Sequence, residues 1–231
     1  MQKNNVRLAG NIGEVKYVEA VDGKKSRIEI AVAQNIDIMD SEEQKTNWHS
    51  VVAFGENADV INKYIHKVGS LFIKRSRLGY SDFVVSDDTK YNKPNIVINH
   101  HMDLRANTFK PTEEGVKNSS VLSLGEVEIA GTLGRLKMEK VKGQTILRFG
   151  VAINFKNEET GEEKTVWHNF VSFGETATKL FEKLKDAKKV FVETEMDYYK
   201  KEYKDSESGD DRSVKLANLV VRYPGQVSIK I

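Results

Sequence analysis

The chain has no cysteine. That excludes disulfides and thiolate metal sites and suits a reducing compartment, so a cytoplasmic protein is expected. No apolar run approaches the roughly 18 residues that a bilayer crossing needs. The opening Met1-Gln2-Lys3-Asn4-Asn5 lacks the apolar stretch of a signal peptide, and no membrane partner is expected. Charge of one sign is also missing. A net charge of +2 and a pI near 8.5 fall short of the pI above about 9 that marks strong polyanion binders. Any polyanion site must therefore come from local arrangement of charge. Catalytic signatures are absent too, with no Gly-Lys-Ser/Thr phosphate loop, no His-Glu-x-x-His and no Gly-x-Ser-x-Gly. Asp37, Asp40, Glu42 and Glu43 lie in one loop with no convergent partner. An enzyme reading has no residues to rest on, and no cofactor or metal is expected.

What the chain does have is a long internal repeat. Lys45-Thr46-Asn47-Trp48-His49-Ser50-Val51-Val52-Ala53-Phe54-Gly55-Glu56 returns as Lys164-Thr165-Val166-Trp167-His168-Asn169-Phe170-Val171-Ser172-Phe173-Gly174-Glu175 at a constant offset. The two copies hold both tryptophans of the protein. A repeat of this length divides 231 residues into two domains of ordinary size.

Each half then reads alike. Val6 to Gly13 and Val127 to Gly134 alternate apolar and polar residues before reaching glycines that permit a bend or bulge. Asp22-Gly23 and Lys142-Gly143 are turn signals. Arg27 to Ala33 and Leu147 to Ile153 have the period of half-buried strands. A polar loop leads to the repeated segment, a third strand with Trp48, Ser50, Val52 and Phe54 on one face and His49, Val51 and Ala53 on the other. Ala58, Ile61, Ile65 and Val68, and likewise Ala177, Leu180, Phe181 and Leu184, are spaced as one face of a short helix, with Asn57 and Thr176 as expected N-caps. A fourth strand, a long aromatic-bearing hairpin and a last strand (Asn95 to Leu104, Ser213 to Arg222) close each half.

The order β-β-β-α-β-β predicts an all-β protein with one short helix per domain, built as tandem five-stranded OB-fold Greek-key barrels. Short turns between the early strands exclude a parallel α/β layout. The boundaries expected are 1–106 for the first OB domain, 107–120 for a linker, 121–225 for the second domain and 226–231 for a short C-terminal tail. The linker reading rests on Pro111, Gly115, Ser119 and Ser120 in a polar stretch.

Asn5-Val6-Arg7-Leu8-Ala9-Gly10-Asn11-Ile12-Gly13, followed by Thr46-Asn47-Trp48-His49 and Phe54-Gly55, resembles the bacterial single-stranded DNA-binding (SSB) family. The resemblance covers both halves and is nearer in the first. The second has Thr132 at a family asparagine, with Val166 and Phe170 as further departures. What the resemblance implies is a protein that binds and protects single-stranded DNA during replication, recombination or repair. It also implies a homodimer that assembles four OB domains. The family's usual acidic, Phe-terminated tail is not matched by Tyr223 to Ile231, so recruitment of replication or recombination proteins by that route is not expected. Two other readings stay open: an adaptor that works mainly through protein contacts, and an RNA-binding protein, which the 2′-hydroxyl would decide.

Sequence-tolerant strand binding needs aromatic faces for bases and cations for phosphates. By pattern alone, Trp48, Phe54, Trp167 and Phe173 fit either core aromatics or stacking faces; the resemblance assigns them to bases. The fourth-to-fifth-strand hairpins carry Tyr80, Phe83 and Tyr91, then Tyr198, Tyr199, Lys200, Lys201 and Tyr203, which interleave aromatic and basic groups. Arg75 and Arg77, with Lys16, Arg135 and Lys137, are candidate phosphate contacts. Lys63, Lys67, Lys183 and Lys185 fit solvated helix faces. His49 and His168 alternate away from the tryptophans, and the resemblance places this position near the subunit contact. No carboxylate at ligand spacing points to a metal, and His100-His101 reads as incidental.

Overall fold

The structure is a computed structural model and describes residues 2–37, 44–65, 69–84, 90–108, 124–156, 162–204 and 210–230. The chain forms two compact units. One comprises Val6–Gly125 with Lys200–Leu216, the other Glu126–Tyr199 with Met1–Asn5 and Ala217–Ile231.

The first half runs β1 (Lys3–Val18), β2 (Arg27–Asp37), β3 (Gln44–Phe54), α1 (Glu56–Tyr64), β4 (Gly69–Val84), β5 (Lys90–Val97), a 3-10 turn at His101–Asp103, and β6 (Leu104–Thr108). Strand neighbours follow the order β1-β2-β3-β5-β4-β6, and β1 also pairs with β4, which closes a barrel. Closure leaves β1 bent at two places, near Leu8 on its β4 side and between Ile12 and Val15 on its β2 side. The side chains of one strand parity fill the barrel. Val6, Leu8, Ile28, Ile30, Val51, Leu71, Ile73, Leu78 and Ile96 are fully buried, as are Ala58 and Ile61 of α1.

The second half repeats the plan as β7 (Leu124–Val141), β8 (Gln144–Lys156), β9 (Glu163–Phe173), α2 (Gly174–Leu184), β10 (Lys189–Lys204), β11 (Asp211–Val220), a 3-10 turn at Pro224–Gln226, and β12 (Val227–Lys230). Its order is β7-β8-β9-β11-β10-β12, closed by β10 on β7. The core holds Val127, Ile129, Leu147, Val151, Val190 and Val192, and Phe149 stacks on Phe170 with centroids 5.0 Å apart. Gly131 matches Gly10 here. A Cβ on either would come within 2.2 Å of a carbonyl oxygen of the second strand, at Ala152 or Ala33, so only glycine allows the two strands to cross so closely.

Several local expectations need correction. The fifth strands end at Val97 and Val220, earlier than expected, and each half gains a sixth strand. Residues 227–230, expected as tail, form β12 on β10, and β6 extends into the stretch expected as linker. The rest of that linker to residue 120 lies outside the described residues, as do Asp40, Glu42, Glu43, Lys67 and Val68. Asn57 and Thr176 do not cap their helices, whose N-caps are Gly55 and Phe173. Their side chains instead tie the helix to the chain after the fifth strand. Asn57 donates to the Asn99 carbonyl and accepts from the His101 amide, while Thr176 donates to the Arg222 carbonyl. His100 and His101 are not two faces of one strand. They stack at 4.8 Å beside the 3-10 turn, where His100 accepts from the Met102 amide.

Candidate nucleic-acid interface

Alternation along β3 sets the first candidate face. His49, Val51 and Ala53 point into the barrel and are buried, which forces Trp48, Ser50, Val52 and Phe54 outward. Trp48 is 46% exposed and Phe54 45%, while Val52 between them is covered. Opposite them on β2 stand Ala33, Ala31, Glu29 and Arg27. Small residues at 31 and 33 leave a shallow floor, and the indole lies against Gly13 where β1 bends. A Cβ at Gly13 would come within 2.5 Å of the indole ring. Glu29 lies midway along the face. It accepts from Ser50 and Arg27, each at 2.9 Å, and Lys93 approaches to 3.9 Å. Two cations thus offset a carboxylate that would otherwise repel a phosphate.

The second face repeats the geometry with different charges. Trp167 is half-buried and Phe173 is 39% exposed, again flanking a buried valine, Val171. Opposite them on β8 stand Ala152, Gly150, Arg148 and Ile146. Gly134 seats the indole as Gly13 does, since a Cβ there would come within 2.9 Å of the ring. The next residue, Arg135, has a left-handed backbone (φ 55°) and holds its guanidinium 4.3 Å from the Trp167 centroid, a cation–π contact. The residue following Gly13 is Glu14, paired with Lys16 at 3.2 Å. Arg148 occupies the position of Glu29. It bonds Glu139 at 3.0 Å, and Lys137 together with Arg148 holds that carboxyl below its usual range.

The expected cations and tyrosines divide between two sides. Arg77 pairs with Val97, itself beside Val52, so it lies on the Trp48 side of the sheet, half-buried and bonded to Asn99 at 3.1 Å. Arg75 is largely exposed and paired at 3.4 Å with Asp103, the residue before β6. Tyr80 shares strand parity with the buried Leu78 and faces away from Arg77. Burial pushes its hydroxyl pKa up, and the same holds for Tyr198 next to buried Met196. Along β10, Tyr199 is 43% exposed, Lys200 and Lys201 are exposed, and Tyr203 is half-buried. The side chains of Phe83 and Tyr91 lie outside the described part of the molecule.

His49 and His168 are covered by the chain's own residues rather than held out on a surface. His49 Nε2 lies 2.8 Å from Gln34 Oε1, and Asn4 Nδ2 lies 3.4 Å from His168 Nε2. Burial lowers the His168 pKa to about 4, so its ring is neutral at ordinary pH. The groups that sequence reasoning passed over are Arg27, Glu29, Lys93 and Arg148, together with the glycine seats. Strand register places them beside the aromatics, and the signal for the seats was the repetition of a glycine at the bend of each first strand.

A family model described as the single-strand binding protein family matches residues 3–104 and 124–221. Two crystal structures of the single-stranded DNA-binding protein of Thermus aquaticus are similar in fold over the whole chain. The wild-type form has a TM-score of 0.64 at 14% identity and is covered to 94%. A deletion mutant has 0.63 at 15% and is covered to 95%. With both barrels matched by one family model, the chain belongs to the single-strand binding protein family.

Proposed function

We propose that the protein binds single-stranded DNA without strong sequence preference, without catalysis, and protects it during replication, recombination or repair in the cytoplasm. The observation that carries this reading is the exposure of Trp48, Phe54 and Phe173, with the half-open Trp167, on strands whose opposite parity is core. Exposing large aromatic rings forgoes burial, which makes sense where unstacked bases cover them. Each stacked base contributes about 1–3 kcal/mol. Arg27, Arg77, Lys93, Arg135 and Arg148 supply cations close to the same rings, so binding weakens as salt rises. Tyr199, Lys200, Lys201 and Tyr203 extend the contact along the second hairpin. Two chains pair to bring four OB domains together, covering tens of nucleotides at about 4–16 per domain. Titrating poly(dT) at low salt while following tryptophan fluorescence tests the reading; it fails if the signal does not change. Equal-length DNA and RNA strands, compared in the same assay, separate a DNA role from an RNA role.

A further inference from the structure

The turn after the fifth strand of the first barrel holds two histidines that the DNA-binding reading leaves without a role. His100 and His101 stack with ring centroids 4.8 Å and planes 25° apart. Their partners assign the ring hydrogens. Asn57 Nδ2 donates to the Asn99 carbonyl, which leaves Asn57 Oδ1 as acceptor for the His101 amide and for His101 Nδ1, at 2.9 and 3.2 Å. His101 Nδ1 therefore carries a hydrogen, and Nε2 is bare when the ring is neutral. His100 is the reverse: Nδ1 accepts from the Met102 amide at 3.2 Å, so Nε2 carries the hydrogen. Neither Nε2 has a partner among the described residues; His100 is exposed and His101 half-buried.

A proton does not fall equally on the two rings. On His100 it goes to Nδ1 and breaks the bond from Met102, whereas on His101 it goes to Nε2 and breaks none. Once His101 is charged, the pair offers two N–H donors and one positive charge, the complement of a phosphate oxyanion. The surroundings suit an anion. From β4, Arg77 bonds Asn99 at 3.1 Å, and Arg75 engages Asp103, the carboxylate of the turn. From α1, Tyr64 donates to the His101 carbonyl, and burial raises its pKa, so it stays neutral. The turn also adjoins the aromatic face, since Ile98 donates to the Val52 carbonyl and Asn57 lies just beyond Phe54. The second barrel has a permanent cation at this step. Thr176 donates to the Arg222 carbonyl as Asn57 does to that of Asn99, so exposed Arg222 and Tyr223 stand where Asn99 and His100 stand.

We propose that His101, with His100 beside it, is a proton-gated contact for a phosphate of the bound strand, extending the aromatic path of the first barrel at its Phe54 end. This rests on the DNA-binding reading above and adds a pH dependence to one barrel.

The test is the affinity of the full chain for a labelled oligo(dT) at about pH 8 and about pH 5.5, the span in which histidine changes charge. His168, with its pKa lowered to about 4, stays neutral throughout. Wild-type binding tightens roughly two- to tenfold at the lower pH. Its salt slope steepens by about 0.7, the value of one single-strand phosphate. His101→Gln binds at both pH values as wild type does at the higher one, and His101→Lys, a fixed cation, binds tightly at both. Circular dichroism confirms that each variant folds. A full pH response in His101→Gln, or a His101→Lys no tighter than wild type at the higher pH, overturns the proton-gated contact. Inorganic phosphate, titrated without DNA while the histidine ring NMR signals are followed, separates the strand from a free ion. A His101 signal that responds to phosphate, with oligonucleotide affinity indifferent to both variants, overturns the strand contact. A wild-type chain that binds no oligo(dT) at either pH overturns the DNA-binding reading itself.

Discussion

Replacing Trp48 with alanine tests the stacking face most directly. The ring is 46% exposed and rests on Gly13, so its removal opens little of the core and the variant should remain folded. If one base stacks on it, the loss is about 1–3 kcal/mol. At about 1.4 kcal/mol per decade, affinity falls roughly 5- to 150-fold. No charge is removed, so the slope of log affinity against log salt is unchanged and the variant's line runs parallel to the wild-type line. Fluorescence anisotropy of a labelled oligo(dT), measured from about 50 to 200 mM salt, gives both quantities. A folded variant that binds within about twofold of wild type would refute stacking, since even the low end of the range predicts a larger loss. A loss accompanied by a shallower slope would refute it differently, by showing that the indole acts through nearby phosphate contacts.

Gly13→Val drives a side chain into the space held by the indole, so affinity falls by an amount similar to Trp48→Ala. The double variant is no worse than either single, and a double-mutant cycle on the same oligonucleotide checks this. Arg135→Ala removes the cation over Trp167 and lowers the salt slope by about 0.7, read from the salt dependence of binding. For His168, the folded pKa of about 4 lies below the unfolded value of 6.5, so the unfolded chain binds the proton more readily. Its neutral ring therefore contributes full stability above pH 6.5 and loses it progressively as pH falls toward 4, by about 3 kcal/mol in all. Urea unfolding across that range should show a shallower pH dependence for His168→Gln than for wild type.

The repeat and the periodicities made most of the architecture readable. A period of two with one apolar parity leaves a strand few choices but a half-buried barrel wall, and its repetition marks two such barrels. Trp48 and His49 could be assigned to opposite faces because adjacent residues of a strand point opposite ways. The sixth strands were not readable, because Leu104–Thr108 and Val227–Lys230 are short and take their shape from pairing with β4 and β10. Asn57 and Thr176 look like caps in sequence, yet a better-placed glycine or phenylalanine starts each helix and frees their side chains for distant carbonyls. Tyr80 and Tyr199 both lie on hairpins of aromatic and basic residues, but only strand parity separates the buried hydroxyl from the exposed ring.

By itself the sequence determined two barrels of one kind, with an aromatic pair on the third strand of each. Those are local properties, carried by residues two apart on one strand. Only tertiary structure decided the charge around each pair. Glu29 meets Ser50, Arg27 and Lys93, Arg135 covers Trp167, and Glu193 faces Glu128, because closing a barrel brings together strands far apart in the chain. Whether a charged residue compensates, repels or recruits depends on its neighbours across the ladder, and register supplies those neighbours.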